Sequence, residues 1–525
     1  MTQKLYYNAK IYLCAGEFAS ALWVRDGLVH QVGGPEVADA ALRAGVPAED
    51  LHGAAVVPGF NDSHLHLLDL GRRMGQVDLF GASGEEDIAR RCADFIAAHR
   101  IPAGRTVLGL GWNQDHFARP ALPTRAALDA LVPDHPLWLD RVCGHVTLCN
   151  TAALRAAGIT AQTPVPPGGS IDWERGILGD NAIALLDPLR PPETIDDILA
   201  AYRAVLPAAA AKGITTAQTC DARAADWPRV LDAVARLDAA GELPVRLHLQ
   251  CSPDTPERLA ALRRRYRPGQ GGRYWEVGPL KLFMDGSLGS RTALLRQGYA
   301  DAPGLHGLRC MTPAETRAMV ELAEQNGMQV IGHAIGDGAI EQLLDAFGPG
   351  DNPLRHGVVH CQITTPDLWQ RFAAGHILAF VQPIFIDYDH TIAAARCGAA
   401  LAETSYAFGD AVRLLGCGVS YGTDTPVEPF DPFPNLYTAV TRRPLAGGAP
   451  WHPAQQVSRE TALDCYTLGS AYAEGAEHRK GRLRPGYLAD FAVLDRDYFT
   501  IPEQEIPAVT VTLTVMDGRE VYRRA

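Results

Sequence analysis

The sequence predicts an α/β protein built on a (β/α)₈ TIM barrel, with a small β-sandwich domain formed by both chain termini and an insertion subdomain after barrel strand 1. Three observations support this prediction. Eight short apolar runs follow one another, and stretches that can form helices separate them. Both ends of the chain carry β-type runs, and one long stretch fits neither pattern. Eight βα units in series indicate a closed parallel barrel, whose reactive side chains lie at the carboxyl ends of the strands.

The two chain ends resemble each other in pattern. Asp26-Gly27 and Asp517-Gly518 each separate two apolar runs, and Asp-Gly is typical of tight hairpin turns. We therefore expect the two segments to pair into one small sandwich. The β-type runs cover residues 5–13, 21–24, 28–32, 491–494, 509–516 and 519–522.

The barrel strands follow from the apolar runs in the middle of the chain. They are predicted at residues 56–60, 213–218, 245–249, 279–283, 329–332, 357–359, 377–381 and 419–421. The resulting domains are the N-terminal part of the sandwich, barrel strand 1, the insertion, the rest of the barrel and the C-terminal part of the sandwich, at residues 1–56, 57–69, 70–192, 193–478 and 479–525.

The insertion has elements of its own. Residues 85–99 and 125–131 are helix-like, whereas 106–110 and 137–140 are apolar runs. Because the insertion follows strand 1, we expect it to lie over the barrel mouth and close the substrate pocket.

Composition and charge restrict the partners. The chain is 47% hydrophobic and 21% charged, with a formal net charge of −12. Nucleic acid and anionic membranes require a basic surface, so neither is expected as a partner. No apolar stretch has the length of a signal peptide core or a membrane span, which predicts a cytoplasmic protein. The expected partner is a small-molecule substrate, and a homodimer stays open. Eleven cysteines without a CxxC pair indicate reduced thiols.

The sharpest local signal is the pair His64 and His66 after the first apolar run. Alternation in a strand puts residues i and i+2 on one face, so both imidazoles can bind one metal ion. With 17 histidines in the chain, chance alone gives about half of one such pair. Further candidate ligands end the later strands, and this joint placement is what favours a metal site. They are Lys281 on strand four, His333 on five, His360 on six and Asp424 on eight.

The sequence resembles the amidohydrolase superfamily, and within it the YtcJ-like branch (amidohydrolase family 3), over nearly the whole chain. The shared motifs are PGFNDSHLH (58–66), GWNQ (111–114), GHVTLCN (144–150), KLFMDGSLGSR (281–291), GHAIGD (332–337), HGVVHCQ (356–362), VQP (381–383), GTDTPVEPFDP (422–432) and GRLRPGYLADFAVLD (481–495). Two positions depart from the family pattern. Val359 stands where Glu is common, and Gly338 follows Asp337 where Arg is common.

The resemblance implies a binuclear metal site of six residues. It assigns His64, His66 and Asp424 to one ion, His333 and His360 to a second, and Lys281 to the bridge between them. A lysine can bridge only as a carbamate, which forms when its neutral amine adds carbon dioxide. The alternatives are an unmodified Lys281 paired with Asp285 or Asp424, and a single-metal site. Zinc is the expected ion, although these donors also suit manganese, iron or cobalt.

The expected reaction is hydrolysis of a C–N bond in an amide-type substrate, such as an N-acyl, N-formyl or cyclic amide. Metal-bound hydroxide attacks, and Asp424 acts as general base and then as general acid. Under an alternative reading Asp424 only binds metal. A deaminase of the same superfamily is a second candidate, but it normally uses one ion and an acidic residue shortly after the strand-five histidine, where this chain has no Glu before Glu341. A non-catalytic metal-binding barrel is a third.

Four further residues are candidates for substrate binding: Trp112, Asn113, His145 and Arg291. Each has a structural alternative. A buried tryptophan is more often core, and His145 could simply hold its own loop in place. Arg291 could bind a substrate carboxylate or could anchor the loop that contains Asp285, and we favour the anchor. Trp173 could line an apolar cavity with Trp112.

Overall fold

The computed structural model describes residues 2–190 and 193–524. The chain divides into two compact units, of which the first joins Met1–Leu67 to Val205–Ala525 and the second is Leu68–Ala204. The predicted end of the insertion at residue 192 lies outside the described residues.

The core of the first unit is a sheet of eight parallel strands, each bonded to the next in chain order. The (β/α)₈ barrel prediction is confirmed. The strands are β1 (Phe60–Leu65), β2 (Ile214–Arg223), β3 (Arg246–Ser252), β4 (Trp275–Phe283), β5 (Val330–Ala334), β6 (Gly357–His360), β7 (Leu378–Val381) and β8 (Val419–Tyr421).

Helices alternate with these strands, as a barrel of βα units requires. The helices that follow β1 to β8 in turn are Ile195–Ala211, Trp227–Ala239, Pro256–Arg265, Pro313–Gln325, Asp337–Phe347, Pro366–Ala374, Phe408–Leu415 and Pro432–Thr441. Further helical segments lie at Pro35–Arg43, Pro383–Phe385, Ile386–Asp389, Ala393–Cys397, Ala399–Glu403, Gly416–Gly418, Pro453–Gln455, Arg459–Asp464, Cys465–Gly469, Ser470–Ala473 and Glu503–Ala508.

Strands β1 and β8 are joined through a buried carboxylate. Asp62 in β1 accepts hydrogen bonds from the Thr423 amide at 3.1 Å and from the Thr423 hydroxyl at 2.7 Å. One residue further, the Asp424 amide donates to the His64 carbonyl at 2.8 Å. Gly422 lies so close to β1 that a Cβ atom there would stand 2.7 Å from the backbone nitrogen of His64. The closure therefore needs both the Asp62 carboxylate and a glycine at position 422.

The first apolar run, residues 56–60, is not one strand as the sequence indicated. Ala55–Pro58 pairs with Phe491–Leu494 in the terminal sheet, and β1 begins only at Phe60. Gly59 separates the two strands. Both strands are buried along their whole length, so hydrophobicity alone gives no sign of the boundary between them.

The two chain ends meet in one sheet of eight strands. Its order is Arg519–Arg523, Val511–Met516, Phe491–Leu494, Ala55–Pro58, Gln3–Cys14, Glu17–Arg25 and Leu28–Gly33, and Ala48–Asp50 pairs with Gln3–Cys14. A sandwich arrangement of these segments stays a prediction.

Both predicted hairpin turns have the backbone that Asp-Gly favours. Asp26 and Gly27 have φ of 49° and 83°, and Asp517 and Gly518 have φ of 54° and 68°. Positive φ at both central residues is the requirement of the tight hairpin whose twist matches the flanking strands. The dipeptides thus set the register at both ends of the sheet.

The second unit is a six-stranded sheet with helices. Its strand order is Gly169–Asp172, Ile177–Asp180, Val146–Cys149, Leu137–Arg141, Val107–Trp112 and Val77–Asp78. Its helical segments are Leu67–Met74, Glu85–His99, Gln114–His116, Ala126–Leu131, Thr151–Ala156 and Asn181–Leu189. Asn150 is buried, and its side chain bonds four backbone groups, those of Leu137, Ala153, Val132 and His135. The Asn that ends the GHVTLCN motif is therefore a structural residue.

Other sequence predictions concern the thiols and the membrane. All eleven cysteines are free, and seven of them are buried. Over the described residues, no helix combines the length and the apolar character needed to cross a bilayer.

The Gly422→Ala substitution should destabilise the barrel by about 2–3 kcal/mol, because the added methyl meets backbone atoms of β1 that cannot move aside. Urea unfolding followed by circular dichroism measures this free energy. Gly418→Ala is the matched control just before β8, since a Cβ atom there meets nothing closer than 3.4 Å. Equal stability of the two variants would contradict the role of Gly422.

Candidate metal centre

Two histidines at the carboxyl end of β1 approach the same carboxylate. His64 and His66 are two residues apart, so a strand presents them on one face. The Nε2 atoms of His64 and His66 lie 3.4 and 3.2 Å from Asp424 Oδ1, which follows β8. His64 is 1% exposed. Closure of the barrel thus brings residues 360 positions apart in the sequence into one buried site.

His360, the last residue of β6, completes a group of three. His64, His360 and Asp424 each offer a ligand atom, and these atoms lie within 4.8 Å of one another. Asp424 Oδ1 is buried and accepts no hydrogen bond within the described chain. A buried carboxylate oxygen without a donor is costly, and a cation between it and two imidazoles would remove that cost. The residues present therefore fit a divalent metal ion.

The backbone at two of these residues is unusual. His360 and Asp424 have φ of 83° and 55°, in the left-handed region that non-glycine residues seldom occupy. Such strain persists only where surrounding contacts hold it, and it concentrates at functional sites. For Asp424 the holding contact is the hydrogen bond from its amide to the His64 carbonyl.

Two glutamines fix the orientation of the buried rings. His64 Nδ1 lies 2.7 Å from Gln250 Oε1, and His360 Nδ1 lies 2.9 Å from Gln382 Oε1. With Nδ1 as the donor, each ring keeps Nε2 free for a metal ion. Neither glutamine was predicted as a site residue from the sequence. The available signals were the VQP motif for Gln382 and a polar residue inside strand β3 for Gln250.

Protonation of the histidines follows from burial and from Asp424. Burial lowers the pKa of His64 and of His360 well below the usual value, so both rings are neutral, as metal ligands must be. Burial also opposes a proton on His66, but the neighbouring Asp424 raises the pKa of His66 to about 10. Binding of a cation at His66 would therefore release a proton.

Lys281 is fully buried in β4, with its Nζ 3.3 Å from His64 Nε2. Burial lowers the pKa of Lys281 to about 8, which makes the neutral amine accessible near neutral pH. Within the described chain, no ion pair shorter than 4.0 Å joins Lys281 to Asp285 or Asp424. The Asp285 oxygens instead accept backbone amides, among them those of Ile335 and Gly336. Lys281 therefore lies beyond ion-pair distance of both carboxylates in the described chain, and its state, free or carbamylated, stays a prediction.

His333 stands beside the group without joining it. Its ring centre is 4.5 Å from that of His360. However, its Nε2 lies 3.1 Å from the Gly286 carbonyl oxygen and 3.3 Å from Asp285 Oδ1. Five of the six predicted ligands therefore meet directly, and a second ion held by His333 stays a prediction.

The three candidate substrate residues of the second unit have structural partners there. Trp112 is fully buried in a hydrophobic cluster, and its indole donates to the Leu139 carbonyl at 2.7 Å, which agrees with the core alternative; its role in substrate binding stays a prediction. Asn113 Oδ1 accepts from Arg141 at 3.0 Å. His145 Nδ1 lies 3.2 Å from Asp180, with its side chain largely exposed.

The other two candidates, Arg291 and Trp173, also have partners in the structure. Arg291 forms two hydrogen bonds with Asp301, at 3.0 and 2.9 Å, which fits the loop anchor favoured above. The Trp173 ring is half-buried and packs against the Arg125 guanidinium, 4.9 Å from the ring centre.

Comparison with known proteins shows the family to which the chain belongs. The sequence model of the amidohydrolase family matches residues 48–522. YtcJ of Bacillus subtilis, whose name assigns it provisionally to the amidohydrolases, is 31% identical over 99% of each chain. The N-substituted formamide deformylase of Arthrobacter pascens is 27% identical over 96% of this chain and 95% of its own.

A solved structure agrees with these sequence matches. An uncharacterised metal-dependent hydrolase from Pyrococcus furiosus superposes with a TM-score of 0.79 and 29% identity, over 95% of this chain and 100% of its own. The chain therefore belongs to the amidohydrolase family, as a metal-dependent hydrolase built on a (β/α)₈ barrel.

Proposed function

We propose that the protein hydrolyses a C–N bond in an amide-type small molecule, such as an N-acyl, N-formyl or cyclic amide. The observation that carries this proposal is the buried, unpartnered Asp424 Oδ1 among the imidazoles of His64, His66 and His360. The similarity to a deformylase of N-substituted formamides supports the class of bond.

Metal binding is assigned to the residues that meet at this oxygen. His64, His66, His360 and Asp424 would hold a divalent cation, for which zinc is our first choice. A carbamate on Lys281 would add two oxygen donors and a negative charge, and His333 is the candidate for a second ion. When bound, such a cation polarises a carbonyl group and lowers the pKa of water towards 7.

Asp424 is suited to move the proton in this reaction. Burial opposes its ionisation, but the adjacent His66 ring and the charges of nearby groups lower the pKa of Asp424 below its usual value. The ionised carboxylate can accept a proton from the attacking water and then deliver it to the departing nitrogen. The C–N bond breaks, and the products are a carboxylic acid and an amine.

Deamination is the second candidate, and the region after His333 disfavours it. The acidic residues that follow this histidine already have partners. Asp337 accepts the Arg296 amide at 2.9 Å, and Glu341 pairs with the Arg296 guanidinium at 2.8 Å. These contacts hold both carboxylates at Arg296 and not at the candidate metal centre.

A cytoplasmic location and a homodimer remain sequence-based proposals. Neither the cellular location nor the oligomeric state affects the assignment of Asp424 as the proton-transfer group.

A substrate panel should distinguish the two reactions. We expect purified, zinc-loaded protein to release carboxylate and amine from N-formyl, N-acyl or cyclic amides, and no ammonia from amino-heterocycles. The Asp424→Asn variant should lose activity by about 10²- to 10⁴-fold, because it cannot accept the proton. Asp464→Asn is the control, since Asp464 pairs with Arg482 at 2.8 Å outside the site. Unchanged activity of Asp424→Asn would refute its catalytic role.

Carbamylation of Lys281 is testable with ¹³C-labelled bicarbonate. The wild type should show a carbamate signal by NMR, and Lys281→Ala should lack it and retain less metal. Lys480→Ala is the control, because Lys480 is the other buried lysine and is held by Glu474 at 2.6 Å.

The pH dependence of carbamate formation is a second test of Lys281. Since the pKa of Lys281 is about 8, protonation removes the reactive amine as the pH falls. At fixed dissolved carbon dioxide, carbamate formation should be about 25-fold faster at pH 8.5 than at pH 6.5. Absence of a pH effect would exclude this amine.

A further inference from the structure

The loops after β7 and β8 carry three carboxyl groups at one edge of the barrel mouth. β7 and β8 are neighbouring parallel strands, so the loops that follow them begin side by side. The first loop leads into Ile386–Asp389, which carries Asp387 and Asp389, and the second loop carries Glu428. Glu428 follows Asp424 in the chain by only a short turn. All three groups therefore lie on the side of the mouth that Asp424 occupies.

This edge lies beside the candidate metal centre. The ring of Phe385, just before the segment with Asp387 and Asp389, is centred 6.0 Å from the ring of His360. In the other loop, the Val427 amide donates to the Asp424 carbonyl at 2.9 Å. This hydrogen bond closes a turn between the two residues, so the next residue stays near Asp424.

Glu428 is a half-buried carboxyl group among like charges. Burial, followed by the charges of Asp387, Asp389 and Asp424, raises the pKa of Glu428 to about 8. Each of these influences disfavours the carboxylate, because it adds a negative charge where others already lie. A cation beside Glu428 would offset all of them at once.

Asp387 and Asp389 have partners in the protein, whereas Glu428 does not. Asp387 accepts the Leu445 amide, and Asp389 accepts the Tyr406 hydroxyl at 2.6 Å. Within the described residues, the Glu428 side chain makes no hydrogen bond and no ion pair. A carboxyl group that has lost part of its hydration without gaining a partner is costly. The substrate is the natural source of that partner, since Glu428 lies at the mouth.

Basic side chains of the same region are engaged elsewhere. Arg442 and Arg443 each donate to a backbone carbonyl oxygen, at 3.1 and 2.7 Å. His390 offsets part of the charge of Asp389. Over the described part of the chain, no basic nitrogen lies within ion-pair distance of Glu428. The carboxyl group is thus left without a counter-charge from the protein.

The wider field of the protein has the same sign. The positive groups of the candidate metal centre, among them His66 and Lys281, act on Asp424. The whole chain carries a formal net charge of −12. A negative protein with carboxyl groups at its mouth draws cations towards that mouth.

We propose that Glu428 binds an ammonium group on the amine part of the substrate. This inference rests on the hydrolysis proposed above and narrows its substrate class to amides with a cationic amine part. Asp424 delivers its proton to the departing nitrogen, and Glu428 lies on the Asp424 side of the mouth. The amine part is therefore the part that Glu428 meets, and a charge-assisted hydrogen bond would join the two.

Matched pairs of amides test this specificity. N-formyl derivatives of short α,ω-diamines are compared with those of alkylamines of the same length. The wild type should prefer the charged member of the best pair by about 10-fold or more in kcat/KM, and Glu428→Gln should lose most of this preference, because a neutral amide pairs more weakly with an ammonium. Glu428→Lys should reverse the preference and favour N-formyl derivatives of ω-amino acids, whose amine part ends in a carboxylate.

Glu403→Gln is the matched control for these variants. Glu403 also lies between β7 and β8, but its side chain is 79% exposed. This variant should keep the wild-type preference for the charged amide. Equal preference in the wild type and Glu428→Gln, with hydrolysis intact, would overturn the role of Glu428 and leave the proposed reaction standing.

Binding of the free amines reports on Glu428 without turnover. Isothermal titration calorimetry of the zinc-loaded protein should show tighter binding of the diamine than of the alkylamine, and about 10-fold weaker diamine binding in Glu428→Gln. Absence of hydrolysis with every pair would refute the proposed reaction itself. In that case equal diamine binding by the wild type and Glu428→Gln would also overturn the recognition of a cation by Glu428.

Discussion

A single buried carboxylate, that of Asp62, joins the first and last strands of the barrel, and the candidate metal centre depends on that junction. Burial raises the pKa of Asp62 to about 7, although the hydrogen bonds from Thr423 favour its ionised form. The same contact sets Asp424 opposite His64 and His66. A slip of one residue between these strands would turn Asp424 away from both imidazoles. Barrel closure and metal binding are therefore one structural requirement.

Neutral amides, rather than carboxylates, hold the two most deeply buried imidazoles. Gln250 and Gln382 accept hydrogen bonds from the rings of His64 and His360 without adding charge. The positive charge of a bound cation must then be balanced among its own ligands. Asp424 supplies one negative charge, and a carbamate on Lys281 would supply another. This division explains why the proposed modification of Lys281 is electrostatically useful in this barrel.

The sequence predicts the backbone of this protein better than its side-chain contacts. Seven of the eight barrel strands and both Asp-Gly turns follow from apolar runs and turn chemistry. The first strand was misplaced, because a buried run crosses from one sheet into another at Gly59. The contacts of His333 with Gly286 and the burial of Trp112 depend on packing between distant segments. Local sequence does not encode which way such side chains point.

Val359 stands where the family commonly has Glu, and it packs in a hydrophobic cluster with Ile331.

The terminal sheet also has a consequence for folding during synthesis. Ala55–Pro58 lies between Gln3–Cys14 and Phe491–Leu494, so one edge of the early strands lacks its neighbour until almost the whole chain has been made. At ordinary rates of translation, that interval is about 20 to 90 s. An unpaired apolar strand edge invites aggregation, and protection by a chaperone would be most valuable during this period. Completion of the terminal sheet is thus a late event, which can occur only after the residues of the barrel have left the ribosome.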